Sequence, residues 1–304
     1  MIEAHNLTKH YGKTLAVDDL SFDVRPGSVT GFLGPNGSGK STTMRLIMGL
    51  DAANRGHVTI NGRRYADLAW PLHEVGALLE ARSIHPGRTG YNHLLALAQT
   101  HGISRRRVDQ VLELVGLQHV ARRRVGKFSL GMGQRLGIAV AMLGDPGILL
   151  FDEPVNGLDP EGIRWVRTLL KGLAAEGRTV FVSSHLMSEM ALTADDVIVI
   201  GKGRLLAHMP MREFIVHNSR SVVRVRTADD GKLAAVLGTG HEGVEVSTAD
   251  DNALLVTGMD MRDVGEAAFA AGLAVHELAA EHASLEDVFM QLTQESVEYK
   301  AGTD

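Results

Sequence analysis

The chain has 304 residues, a formal net charge of −5 at pH 7, 44% hydrophobic and 22% charged residues, and no cysteine. That length predicts two domains, and the composition is that of globular cores rather than disorder. Disulfide scaffolds, thiolate metal sites and cysteine nucleophiles are excluded; the acidic balance also argues against binding through global positive charge, so no nucleic acid is expected.

The opening MIEAHNLTKHYGK lacks the apolar core of a signal peptide. The longest uncharged apolar stretch, 136–144, is far short of the roughly 20 residues that span a bilayer. The chain is therefore expected to cross no membrane by itself. Strands are predicted at 20–24 and 29–33, then a helix over 40–50 after a glycine-rich turn. Short strands follow at 58–60 and 75–79, with helical spacing at 91–101 and 108–115, so that about 82–145 reads as a mostly helical insert. The wholly apolar 148–151 has the pattern of a strand buried on both faces. A helix is expected over 160–175, a strand at 179–183, a short helix at 186–192 and a strand at 196–200. This alternation predicts an α/β core with a largely parallel sheet.

The tail changes character. Strands are predicted at 221–226, 243–247, 253–256 and 274–278, and helices at 232–237 and 260–271. That order is β-α-β-β-α-β, the ferredoxin-like pattern. A last helix, 284–293, would start on a capping pair, Ser284 and Asp287. The predicted domains are 1–217 and 218–304.

Gly34-Pro35-Asn36-Gly37-Ser38-Gly39-Lys40-Ser41 matches G-x-x-x-x-G-K-[ST], between a predicted strand and a predicted helix. Glycines let the chain curl so that backbone N–H groups converge on phosphate oxygens, and the following helix adds its positive end. Lys40 would reach the β- and γ-phosphates, Ser41 would offer its hydroxyl to Mg²⁺, and Thr42 would help hold phosphate. The apolar strand 148–151 runs into Asp152 and Glu153. Such a strand is expected beside the phosphate-loop strand, with Asp152 steadying Mg²⁺ and Glu153 activating a water against the γ-phosphate.

Over roughly residues 1–215 these features resemble the nucleotide-binding subunits of ATP-binding-cassette (ABC) transporters. The signature loop of that family, usually LSGGQ followed by QR, is matched by Ser129-Leu130-Gly131-Met132-Gly133-Gln134-Arg135. In this reading Leu130 stands where serine is usual, Ser129 lies one place earlier, and Met132-Gly133 replace Gly-Gln. The S-L-G-M form is similar to a branch that often serves antibiotic, peptide or drug exporters. The resemblance implies that Ser129, Gly131 and the helix N-terminus face ATP held by an opposite subunit. It further implies a D-loop in Asn156-Gly157-Leu158-Asp159, with Asp159 bridging subunits, and a switch in Ser183-Ser184-His185, with His185 on the γ-phosphate. Tyr11 takes the place of the aromatic that stacks on adenine, and Val17 would flank the base. Glu80 stands where a glutamine is usual in the Q-loop, where it would hold Mg²⁺ or a water.

The resemblance implies a P-loop ATP-binding-cassette fold with a helical signature subdomain and a small C-terminal α+β domain. It implies an ATPase motor with ATP and Mg²⁺ as ligands, peripheral on the cytoplasmic face of the cell membrane. Its partners would be a transmembrane permease and a second ATP-binding subunit, in a homo- or heterodimer, with export the expected direction. The competing reading is a non-transport cassette ATPase acting on ribosomes or DNA. Residues 81–89 are the expected permease contact. The arginine runs 105–107 and 122–124 read first as solvated helix ends.

Overall fold

A computed structural model describes residues 1–80, 84–218, 221–240, 244–249 and 251–282. The expected helix 284–293, with Ser284 and Asp287, lies outside the described residues. The chain divides into two compact units, one of Met1–Met211 and the other beginning at Arg212.

The first unit contains β1 (Ile2–Tyr11), β2 (Thr14–Val24), β3 (Val29–Leu33), α1 (Lys40–Ile47), β4 (Arg55–Ile60), α2 (Pro71–Glu74) and β5 (Val75–Leu78). Next come α3 (Gly90–Thr100), α4 (Arg105–Leu114), α5 (Leu130–Ala141), β6 (Ile148–Asp152), α6 (Pro160–Ala175), β7 (Thr179–Ser184), α7 (Met187–Ala191), β8 (Asp196–Gly201) and β9 (Arg204–Pro210). A six-stranded sheet runs β5-β6-β7-β3-β8-β9. Its first five strands are parallel, and β9 returns antiparallel to β8. A second, antiparallel sheet has the order β2-β1-β4.

Every residue of β3 and β7 is buried, as expected of parallel strands covered on both faces. Phe22 of β2, Phe32 of β3 and Phe181 of β7 meet with ring centroids 5.0 to 5.8 Å apart, joining the two sheets through one core. Each fully buried ring contributes about 1.5–3 kcal/mol over an exposed one.

The expected neighbour relation of β6 and β3 is corrected by this order: β7 lies between them. Asp152 pairs with Ser183 of β7, and Ser184 pairs with Leu33 of β3. The residue after β7, His185, thus emerges between the phosphate loop and the Asp152-Glu153 pair.

Several of the helices begin on capping side chains. Thr89 accepts the Asn92 N–H, Ser104 the Arg107 N–H, and Asp159 the Gly162 N–H, each three residues on. Pro160 follows Asp159 at the first helical position, where its missing N–H costs nothing. Arg107 departs from the expectation of a solvated helix end. It donates to the carbonyls of Met142 and Leu143 and pairs with Asp145, tying α4 to the end of α5.

After α8 (Met211–Asn218), the second unit contains β10 (Ser221–Thr227), α9 (Asp230–Gly240), β11 (Glu245–Thr248), β12 (Leu254–Thr257), α10 (Met261–Ala270) and β13 (Val275–His282). The sheet order is β11-β12-β10-β13, antiparallel throughout. Val223, Val225 and Val256 pack against Leu233 and Leu237 of α9 and Val264 and Ala268 of α10.

Candidate active site

The site sits at the carboxyl ends of β3, β6 and β7, where open parallel sheets hold their ligands. The turn after β3 is the phosphate loop. Gly39 has φ +103°, and a Cβ there would lie 2.4 Å from the Ala16 carbonyl oxygen, so only glycine fits. Helix α1 starts with no side-chain cap and no acidic residue in its first turn, which leaves its N–H groups open to an anion. Ser38 is 2% exposed, and its hydroxyl has no hydrogen-bond partner. An orphaned hydroxyl beside uncapped N–H groups fits a phosphate.

Lys40 is buried and donates to the carbonyls of Gly34 at 2.6 Å and Pro35 at 3.1 Å. Burial lowers its pKa from the usual lysine value, while the charges of Glu153 and then Asp152 pull it back up. Of the remaining loop residues, Asn36, Gly37 and Ser41 are exposed, and Pro35 and Thr42 are half-buried.

At the end of β6, Asp152 accepts a short hydrogen bond from the Ser183 hydroxyl. The same Ser183 oxygen accepts the Glu153 N–H at 3.0 Å. Glu153 has φ +50°, a left-handed turn that ends the strand and redirects its carboxylate. Its Oε2 lies 2.9 Å from His185 Nδ1. Its carbonyl accepts from Gln134 Nε2 at 3.1 Å, and Gln134 is 4% exposed on α5. Lys40, Asp152, Glu153 and His185 are thus gathered at the ends of three neighbouring strands. Such a set can bind phosphate, hold a hard cation and move a proton.

Ser129 is the N-cap of α5, its hydroxyl accepting the Met132 N–H at 3.2 Å. Leu130 follows as the first residue of that helix. Leu130 packs on the loop that follows β6, because a Cβ on Gly157 would lie 2.1 Å from Leu130 Cδ2. Gly131 faces Leu158, where a Cβ would lie a tight 3.3 Å from Leu158 Cδ2. Asp159 is exposed at the start of α6, with one carboxylate oxygen used in its cap.

Tyr11 is 45% exposed at the end of β1, with a free surface for stacking. Val17 is fully buried in the core, so its side chain presents no surface to a base. Glu80 lies beyond the end of β5, exposed, on a cavity of about 290 Å³ that it shares with Arg45, Leu79, Ile84 and His93. Among the described residues no group of three His, Cys, Asp or Glu side chains forms a ready-made metal site. A cation here would rest on Asp152, Ser41 and the bound phosphates. These hard oxygen donors suit Mg²⁺, which is usually held by one or two carboxylates plus phosphate.

Sequence reasoning placed Gln134 in the signature loop and Ser183 in the switch segment but assigned neither a partner, because those partners lie 19 and 31 residues away.

Fold and site together define a P-loop nucleotide hydrolase of the cassette type. Residues 17–156 match the ABC transporter family, and residues 221–286 match a domain family of unknown function. An uncharacterized ABC transporter ATP-binding protein of Bacillus subtilis (strain 168) is 37% identical over 98% of this chain and 97% of its own length. The bacitracin transport ATP-binding protein BcrA of Bacillus licheniformis is 40% identical over 78% of each chain. An ATP-binding cassette solved as a dimer in a post-hydrolysis state, bound to ADP and Pi, superposes with a TM-score of 0.64. It is 26% identical over 70% of this chain and 99% of that one. The chain belongs to the ABC transporter ATP-binding proteins, and it binds and hydrolyses ATP.

Proposed function

We propose that the chain is the motor subunit of an exporter for cargo of the antibiotic, peptide, drug or lipid-like class. It works in a pair of ATP-binding subunits that closes over two ATPs and drives a separate transmembrane permease. The observation that carries this reading is the contact of Glu153 with His185 between the phosphate loop and the end of β6. The relative named for bacitracin transport supports the class of cargo. The competing reading, a cassette acting on ribosomes or DNA, has no observation in its favour.

In this mechanism the free N–H groups of the phosphate loop and of the α1 start bind the phosphates. Lys40 releases the carbonyls of Gly34 and Pro35 and turns its charge to the β- and γ-phosphates. Ser41 and Asp152 hold Mg²⁺, which when bound neutralises charge developing on the phosphates. Glu153 takes the proton of the attacking water, and His185 holds the Glu153 carboxylate and contacts the γ-phosphate. Ser129, Gly131 and the N-terminus of α5 complete the ATP site of the opposite subunit, and Asp159 bridges the pair. Tyr11 stacks on adenine; Val17 acts from behind, as core. The place of Glu80 on the cavity with Arg45 and His93 supports a role at the permease contact over one on the metal.

The subunit sits peripherally on the cytoplasmic face of the membrane. Among the described residues, no helix is long and apolar enough to cross one. Vesicle flotation tests this: the full chain should float only with membranes that carry its permease. Stable insertion of the chain alone into lipid vesicles would contradict it.

A further inference from the structure

The ring of Tyr11 is held on two sides. Its hydroxyl donates to Asp51 Oδ2 at 2.7 Å. Lys9 Nζ lies 5.0 Å from the ring centroid and covers one face. Lys9 is itself fixed, donating to the Ala52 carbonyl at 2.7 Å. Asp51 is gripped from its other side by Arg45, whose Nε donates to the same Oδ2 at 2.7 Å. Two consecutive residues in the turn after α1, Asp51 and Ala52, thus hold the hydroxyl and the cation that orient one aromatic ring. The ring keeps one open face.

We propose that Asp51 is a positioning residue for nucleotide binding: by anchoring the Tyr11 hydroxyl it holds the ring with its open face toward the base. The proposal rests on reading Tyr11 as the base platform. An unanchored tyrosine on the surface samples several rotamers and must lose that freedom when a base stacks on it. An anchored ring has already lost it. The carboxylate is the right acceptor, because a hydrogen bond to an ionised group is the stronger kind. Arg45 first, and the Tyr11 hydroxyl second, hold the Asp51 carboxyl below its usual pKa. The same bond to Asp51 pushes the Tyr11 phenol above its usual value. The clamp acts on the platform and touches no phosphate ligand, so it should change base affinity and leave triphosphate affinity alone.

The test uses the purified full chain, with ATP turnover and with inorganic tripolyphosphate as a competitor that has no base. Asp51→Ala should raise KM for ATP about fivefold, the weight of one hydrogen bond, with kcat within about twofold of wild type. Asp51→Asn, which keeps an acceptor oxygen, should restore most of the loss. Tyr11→Phe should match Asp51→Ala, and the double variant should be no worse than either. The tripolyphosphate inhibition constant should stay unchanged in all of them. An unchanged KM in Asp51→Ala, or an equal loss of tripolyphosphate affinity, would overturn the proposal. Tyr11→Ala separates it from the reading beneath. If Tyr11→Ala raises KM and Asp51→Ala does not, the clamp is wrong and the platform stands. If Tyr11→Ala leaves KM unchanged, the platform reading fails and the clamp fails with it.

Discussion

The carboxylate of Glu153 is held by His185, Oε2 to Nδ1 at 2.9 Å. The two residues are 32 apart in sequence and reach each other because β7 lies directly beside β6. A base held in place by a neighbour loses little freedom on reaching the transition state. His185→Ala should therefore lower kcat about 100-fold with a smaller change in KM for ATP. Steady-state ATPase kinetics check this, and a kcat near wild type would remove His185 from the site.

Leu130 and Gly157 make a second prediction. Gly157 has φ +74°, and a Cβ there would lie 2.1 Å from Leu130 Cδ2 and 2.5 Å from its Cγ, but 3.4 Å from its Cβ. Gly157→Ala should destabilise the chain through both the clash and the left-handed backbone. Adding Leu130→Ala removes the two clashing atoms and should recover the first part only. About 1–2 kcal/mol of backbone cost should remain in the double variant. Urea unfolding of the three variants measures the cycle; strictly additive losses would mean that Leu130 does not pack on this loop.

Lys40 gives the pH dependence. Its folded pKa lies below that of the unfolded chain, because burial disfavours the charged form. Between the two values the unfolded chain binds more protons, so this group makes stability rise with pH. Its burial cost is fully present below the folded pKa and fades as the pH climbs toward the unfolded value of 10.5. In nucleotide-free protein, Lys40→Met should remove this contribution. Melting temperatures from pH 8 to 11 should thus shift in favour of wild type as pH rises. A difference between the two proteins that is independent of pH would contradict the assignment.

How far the sequence reached follows from what is local. The phosphate loop and the run into Asp152-Glu153 are contiguous, so their chemistry was readable from order alone. β6 showed itself as an unbroken apolar run, and β7 by Val180-Phe181-Val182 at its centre. β1 did not: Ile2–Tyr11 is half polar, carries a left-handed residue at Asn6, and slips register three times against β2. β9 was missed because it is mostly exposed, with no alternating apolar face. α5, with three glycines inside it, shows no helical pattern of its own and was expected only as the helix of the signature motif. The grip of Gln134 on the Glu153 carbonyl, the seat of Leu130 on Gly157 and the hold of Asp51 on Tyr11 join distant residues. Each is a product of packing, which no spacing rule records.

The central claim is that Glu153 is the base that hydrolyses ATP between two paired subunits. Glu153→Gln keeps the shape of the side chain and removes its basicity. ATP turnover should fall at least about 100-fold, and size-exclusion chromatography in ATP should show a dimer that retains nucleotide. Turnover at the wild-type rate in Glu153→Gln, with no dimer in ATP, would contradict the account.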